Sequence, residues 1–177
     1  LQNYQDKFFM RLLHNLFDSR EQFEIQSKDL RLDFSDSCYL ASHGEIHSDI
    51  ARQMDFTKEM NLYSSSLQMI QEILGKHTPC YVISLDKIHF AVIYHFPTAA
   101  QAELGRIQEA LENTRFMVHN YFNVWLTVGT GNLVEGPLKI SISYQEARQA
   151  FNLANRQAPV VSFSRSDGGA CRNAFNI

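Results

Sequence analysis

Residues 80–94 constrain the fold most. They read Cys80-Tyr81-Val82-Ile83-Ser84-Leu85-Asp86-Lys87-Ile88-His89-Phe90-Ala91-Val92-Ile93-Tyr94, two runs of strand-forming residues joined at Asp86-Lys87. Before them, Phe56, Met60, Tyr63, Leu67, Ile70 and Leu74 recur in steps of three and four, the pattern of an amphipathic helix. Gly75 is placed to end that helix and Pro79 to prevent its return. After them, Pro97-Thr98 leads into a second stripe, Ala100, Leu104, Ile107 and Leu111, with Thr98 as N-cap. A hairpin between two helices points to helices layered on a sheet. The turn is expected to be a two-residue one facing solvent, and a poor one, because Lys gains nothing from a positive φ.

The rest of the chain extends this pattern. Tyr4, Phe8, Leu12, Leu13, Leu16 and Phe17 suggest a first helix, and Asp18-Ser19 can cap a second that carries Phe23, Ile25, Leu30 and Leu32. The run 37–42 reads as a strand. In the following His43-Gly44-Glu45-Ile46-His47, alternation could put two imidazoles and a carboxylate on one side to hold a metal; Gly44 and Ser48 favour a loop of solvated polar residues instead. Phe122 to Gly129 alternates as a strand. Gly129-Thr130-Gly131 could cradle a phosphate, but it lacks a P-loop lysine and reads better as a strand exit. Ser143-Tyr144-Gln145-Glu146 has capping-box spacing, ahead of a stripe of Tyr144, Ala147, Phe151 and Ala154. Val160 to Phe163 is a last strand, and Ser164 to Gly169 is polar and linker-like. The expected organisation is a helical lead-in over 1–33, an α+β domain of ferredoxin-like kind over 34–165, with helices packed on a mixed sheet of about five strands, and a linker tail over 166–177. Phe151 and Leu67, each mid-stripe, are expected in the core.

Charge and composition narrow the functional classes. The chain has 177 residues, 45% hydrophobic and 20% charged, with a net charge of -3, enough for one core and without the basic excess of a nucleic-acid-binding segment. Cys38, Cys80 and Cys171 have no metal-site spacing and read as reduced thiols of a cytoplasmic protein. No apolar run approaches the roughly 18 residues of a membrane span. A chain opening on Leu1 reads as a piece of something longer.

The order strand, helix, hairpin, helix, strand, helix, strand resembles that of GGDEF domains, the diguanylate cyclases. Ser84-Leu85-Asp86-Lys87-Ile88-His89-Phe90 lies where their Arg-Leu-Gly-Gly-Asp-Glu-Phe lies. Thr127-Val128-Gly129-Thr130-Gly131, Leu138, Ser143-Tyr144-Gln145-Glu146-Ala147-Arg148-Gln149-Ala150-Phe151 and Phe163 are similar to the C-terminal pattern of divergent GGDEF-like domains in AraC-family bacterial transcriptional regulators. Phe8-Phe9-Met10-Arg11-Leu12-Leu13 is similar to the entry of that domain. The resemblance implies upstream sensor or receiver and downstream helix-turn-helix domains in the same protein, a two-component or membrane-anchored receptor setting with this part cytoplasmic, and a homodimer as one option.

The departures from the cyclase pattern imply lost catalysis. Asp86 and Lys87 replace the two glycines, and Ile88 and His89 replace the two acids that carry metal and catalytic duties. Isoleucine cannot ligate Mg²⁺, which takes oxygen ligands. Ser42-His43-Gly44-Glu45 stands in place of the acidic motif after the first strand, with Glu45 its single carboxylate. The expectation is a non-catalytic signal-transmitting domain, without cofactor or metal, with Asp86, Lys87, Ile88 and His89 a vestigial active-site turn. The alternative is a nucleotide-binding effector module or weak phosphodiesterase in which Lys87 and His89 contact phosphate. A transmitter is expected to fill the old cleft with side chains such as Ile88 and Phe56.

Overall fold

The computed structural model describes residues 2–99, 101–164 and 171–173. Two helices lead in, α1 (Gln2–His14) and α2 (Arg20–Asp29). Ser19 caps α2, its hydroxyl accepting from the Gln22 N–H at 3.1 Å. Then come β1 (Cys38–Ser48), α3 (Phe56–His77), the hairpin strands β2 (Cys80–Ser84) and β3 (His89–Phe96), α4 (Gln101–Phe122), β4 (Val124–Thr130), β5 (Val134–Glu135), α5 (Ile140–Phe151), β6 (Val160–Phe163) and β7 (Cys171–Asn173). The main path of the sheet runs β2-β3-β1-β4-β6-β7, with β5 pairing β1 at its edge. Only the β4–β6 pair is parallel among these pairings. The five expected strands are present, and β5 and β7 are the short additions. No helix among the described residues is long and apolar enough to cross a membrane.

The central strand β1 is buried on both faces over its first half, so alternate residues belong to two cores. Leu40 and Ile46 join Phe90, Val92, Tyr94, Leu126 and Val128 under α3 and α4. Tyr39 and Ala41 join Ala91, Ile93 and Ile83 on the opposite face, under α1 and α5. There the lead-in docks through rings: Phe8 lies 5.8 Å from Phe23 and 5.7 Å from Phe34, and Phe34 reaches Tyr81 of β2 at 5.5 Å.

The structure corrects several expectations. Phe56 is 75% exposed and Met60 is also exposed, because they lie at the start of α3 beyond the sheet; Tyr63, Ser66, Ile70 and Leu74 form the buried side. Leu67 is half-buried against that core. Gly75 lies inside α3, which continues to His77 before Thr78 and Pro79. Ser143 does not cap α5, which starts three residues earlier after a 3-10 turn over Pro137–Lys139. Its hydroxyl instead accepts from the Ala41 N–H at 2.9 Å and donates to the Asn132 carbonyl at 2.7 Å, fixing α5 to β1. Glu146 accepts from the Asn132 N–H at 3.2 Å. Gly129 and Gly131 let the helix come this close: a Cβ on either would clash with the α5 backbone, at Ala147 and Phe151 or at Ser143. Thr98 precedes α4, but Ala100 lies outside the described residues. So do residue 165 and, of the expected tail, 166–170 and 174–177; Cys171–Asn173 pair with β6 as a strand.

Candidate functional site

β1 does not end at Ser42 but runs to Ser48, so His43, Glu45 and His47 are strand residues rather than a loop. Gly44 belongs in the strand because the Phe90 ring of β3 occupies the space a Cβ would need. The three polar residues alternate onto the α5 side. The antiparallel register sets Glu45 opposite His89 of β3 and His43 opposite Ala91. A polar row thus forms at the hairpin end of an otherwise apolar face.

The turn itself spans Leu85 to Ile88, longer than the two residues expected, and neither Asp86 nor Lys87 has a positive φ. Leu85 N–H donates to the His89 carbonyl at 3.0 Å. The Asp86 carboxylate accepts from the N–H groups of Ile88 at 2.9 Å and His89 at 2.8 Å, a side-chain closure that makes glycine unnecessary. Ile88 packs against the α3/α4 core, and its carbonyl accepts from the Ile46 N–H at 2.8 Å. Lys87 also reaches α3 and pairs with Glu59 at 2.6 Å, 5.9 Å over the Tyr63 ring.

His89 is the centre of the site. Its Nδ1 lies 2.9 Å from an Asp86 carboxylate oxygen and its Nε2 3.0 Å from Glu45. Glu45 is 3.5 Å from His47 through its other oxygen. The His89 ring stacks on His43, centroids 5.6 Å apart and planes 24° apart, and Phe151 closes edge-on over both. Phe151 is therefore only half-buried: it covers the imidazoles rather than filling the core. His43 Nδ1 is 2.9 Å from the Tyr144 hydroxyl of α5. Burial, then the neighbouring His89 and Arg148, lower the His43 pKa to about 4. Burial pushes the Tyr144 hydroxyl up to about 12. Partial burial alone would raise the Asp86 pKa, but the Ile88 and His89 N–H groups and the His89 ring hold it below its ordinary value.

These groups face one another. Both ring nitrogens of His89 and both oxygens of Asp86 and Glu45 are engaged, and Lys87 is tied to α3. His43, Glu45 and His47 share a side as a metal site would require, yet His43 turns to Tyr144 and Glu45 to His89; no group of three or more His, Cys, Asp or Glu side chains among the described residues could hold a metal ion. Gly129-Thr130-Gly131 faces the α5 backbone. The sequence reading missed Glu59 as a partner of the turn and Tyr144 and Arg148 as neighbours of His43, since the register against α3 and α5 has no local signature.

Comparison with known proteins agrees with this frame. A family model described as the GGDEF-like domain matches residues 17–153. Among solved structures, the active GGEEF domain of a diguanylate cyclase from Vibrio cholerae is similar at 15% identity, with a TM-score of 0.51, over 76% of this chain and 83% of that one. The GGDEF domain of DgcB from Caulobacter crescentus, in complex with c-di-GMP, is similar at 15% identity and a TM-score of 0.47, over 85% of this chain and 92% of that one. No curated protein matches.

Proposed function

The chain belongs to the GGDEF-like domain family, and on that premise we propose that it is a non-catalytic member that transmits a state between the segments joined to it. One observation carries this reading: His89, at the position of a catalytic acid in the cyclase pattern, is held between Asp86 and Glu45. Phosphoryl transfer between nucleotides develops charge that metal-bound acids help neutralise. Here Asp86 and Glu45 are directed to an imidazole, Glu59 is paired with Lys87, and Ile88 offers no ligand. The phosphate-contacting roles of the alternative reading are unsupported, because Lys87 and His89 are both engaged within the protein.

Transmission needs a mechanical connection, and the docked lead-in supplies one. Phe8, Phe9, Leu12 and Leu13 of α1 are buried against the sheet face that carries the histidine row. A displacement upstream of α1 is therefore felt at α5 and β1. The finer reading is that the domain serves an AraC-family transcriptional regulator, between a sensor or receiver and a helix-turn-helix module; the Ser143-Tyr144-Gln145-Glu146-Ala147 element supports it by resemblance. Incubating the domain with GTP and Mg²⁺ tests the catalytic part: no cyclic dinucleotide is expected, and its accumulation overturns the reading. The encoded residues after Ile177 test the context, where a helix-turn-helix pattern is expected and another domain type contradicts it.

A further inference from the structure

At the seam between lead-in and domain lies a cavity of about 310 Å³, bounded by the end of α1 and by α5. Its polar lining is His14, Asn15, Ser141, Tyr144, Gln145 and Arg148, and no carboxylate lines it. Asn15, in the left-handed region at φ 55°, ends α1 and turns the chain away, which leaves the space open. Every polar group on the wall carries an N–H or O–H, and Arg148 adds a permanent positive charge. The Arg148 side chain makes no ion pair or hydrogen bond among the described residues, as with Arg31 and Arg52, and of these three it is the one that lines the cavity. A guanidinium among hydrogen-bond donors, in a recess of this size, suits a compact oxyanion.

We propose that this cavity is a binding site for a small phosphate- or carboxylate-bearing ligand, held by Arg148 and by the donors of α5 and the α1 terminus. Such a ligand bridges two elements that pack against each other, His14 edge-on to Tyr144. It also touches Tyr144, whose hydroxyl meets His43, which stacks on His89 at the turn. Occupancy therefore tightens the lead-in on the domain and reaches the vestigial turn through side chains in contact. The coupling part rests on the transmission reading; the binding part does not, since a catalytically active domain could bind the same anion.

The test is a backbone and Arg-side-chain NMR titration of the whole chain with inorganic phosphate and, separately, acetate, each against chloride at constant ionic strength. Saturable shifts confined to residues 13–15 and 141–148 are expected with at least one of the two anions. If phosphate alone acts, the ligand is a phosphate; if acetate acts comparably, a carboxylate fits as well. Arg148→Gln should weaken binding at least about tenfold and Arg148→Lys less, while Arg106→Gln on α4 should leave it unchanged. No saturable shift with either anion, or undiminished affinity in Arg148→Gln with native spectra elsewhere, overturns the site. Cyclic dinucleotide production would overturn only the transmission reading and leave these shifts unaffected.

Discussion

The two faces of the sheet obey different rules. Under α3 and α4 the contacts are nearly all apolar, and Ile70, Leu74, Phe90 and Val92 are fully or almost fully buried. Under α1 and α5 the face begins as an aromatic cluster and ends at the hairpin as His43, Glu45, His47 and His89. The apolar face is stabilised by area removed from water and needs little geometric precision. The polar row is tolerated because each buried or half-buried group has a partner. On the function proposed above, the hairpin end of this GGDEF-like frame is kept as structure because its polar groups satisfy one another.

The sharpest contrast between the faces is in truncation of a ring. Phe90→Ala, on the apolar side, should cost about 3–5 kcal/mol of unfolding free energy. Phe151→Ala, on the polar side, should cost about 1–2 kcal/mol, because that ring is half-buried and covers imidazoles. Equal losses in denaturant unfolding would erase the distinction.

The polar face should also show in the pH dependence. His43 has an ordinary pKa of 6.5 and a folded value of about 4. Between these values the unfolded chain holds more protons, so stability rises with pH. The contribution is complete above about 6.5 and falls by up to about 3 kcal/mol as pH drops to 4. His43→Gln should remove that slope in unfolding curves taken across the window; an unchanged slope would assign it elsewhere.

Ser143→Ala tests the join between α5 and β1. It leaves the buried Ala41 N–H and the Asn132 carbonyl without this partner and should cost about 1–3 kcal/mol. A loss no larger than that of an exposed Ser→Ala change would show that this hydroxyl does not hold α5 to β1. At the small end, Lys87→Ala should leave the melting midpoint within error, since its pair with Glu59 lies at the surface; a marked drop would make the turn's outer side structural too.

How much of this was legible in the sequence depended on range. The apolar periodicities of α3, α4 and the hairpin strands are local, so the layered α+β arrangement and the five main strands could be read directly. Phe56 misled because periodicity does not say where a helix leaves the sheet. Gly44 misled because its role, room for the Phe90 ring, is set by a strand far along the chain. Ser143 and Glu146 have capping spacing, but tertiary contacts with Ala41 and Asn132 claim them. Of the site, the substitutions at 86–89 were visible, whereas the meeting of His89 with Glu45 depends on strand register, which no short motif encodes.

That meeting is the centre of the account: the turn's charged groups are satisfied within the protein. A double-mutant cycle of Glu45→Gln and His89→Gln, read by denaturant unfolding with and without GTP and Mg²⁺, measures it most directly. A favourable coupling of about 1 kcal/mol is expected, with no added stability from the nucleotide. Additive mutations, together with stabilisation of the parent by Mg²⁺ and GTP that His89→Gln abolishes, would contradict it.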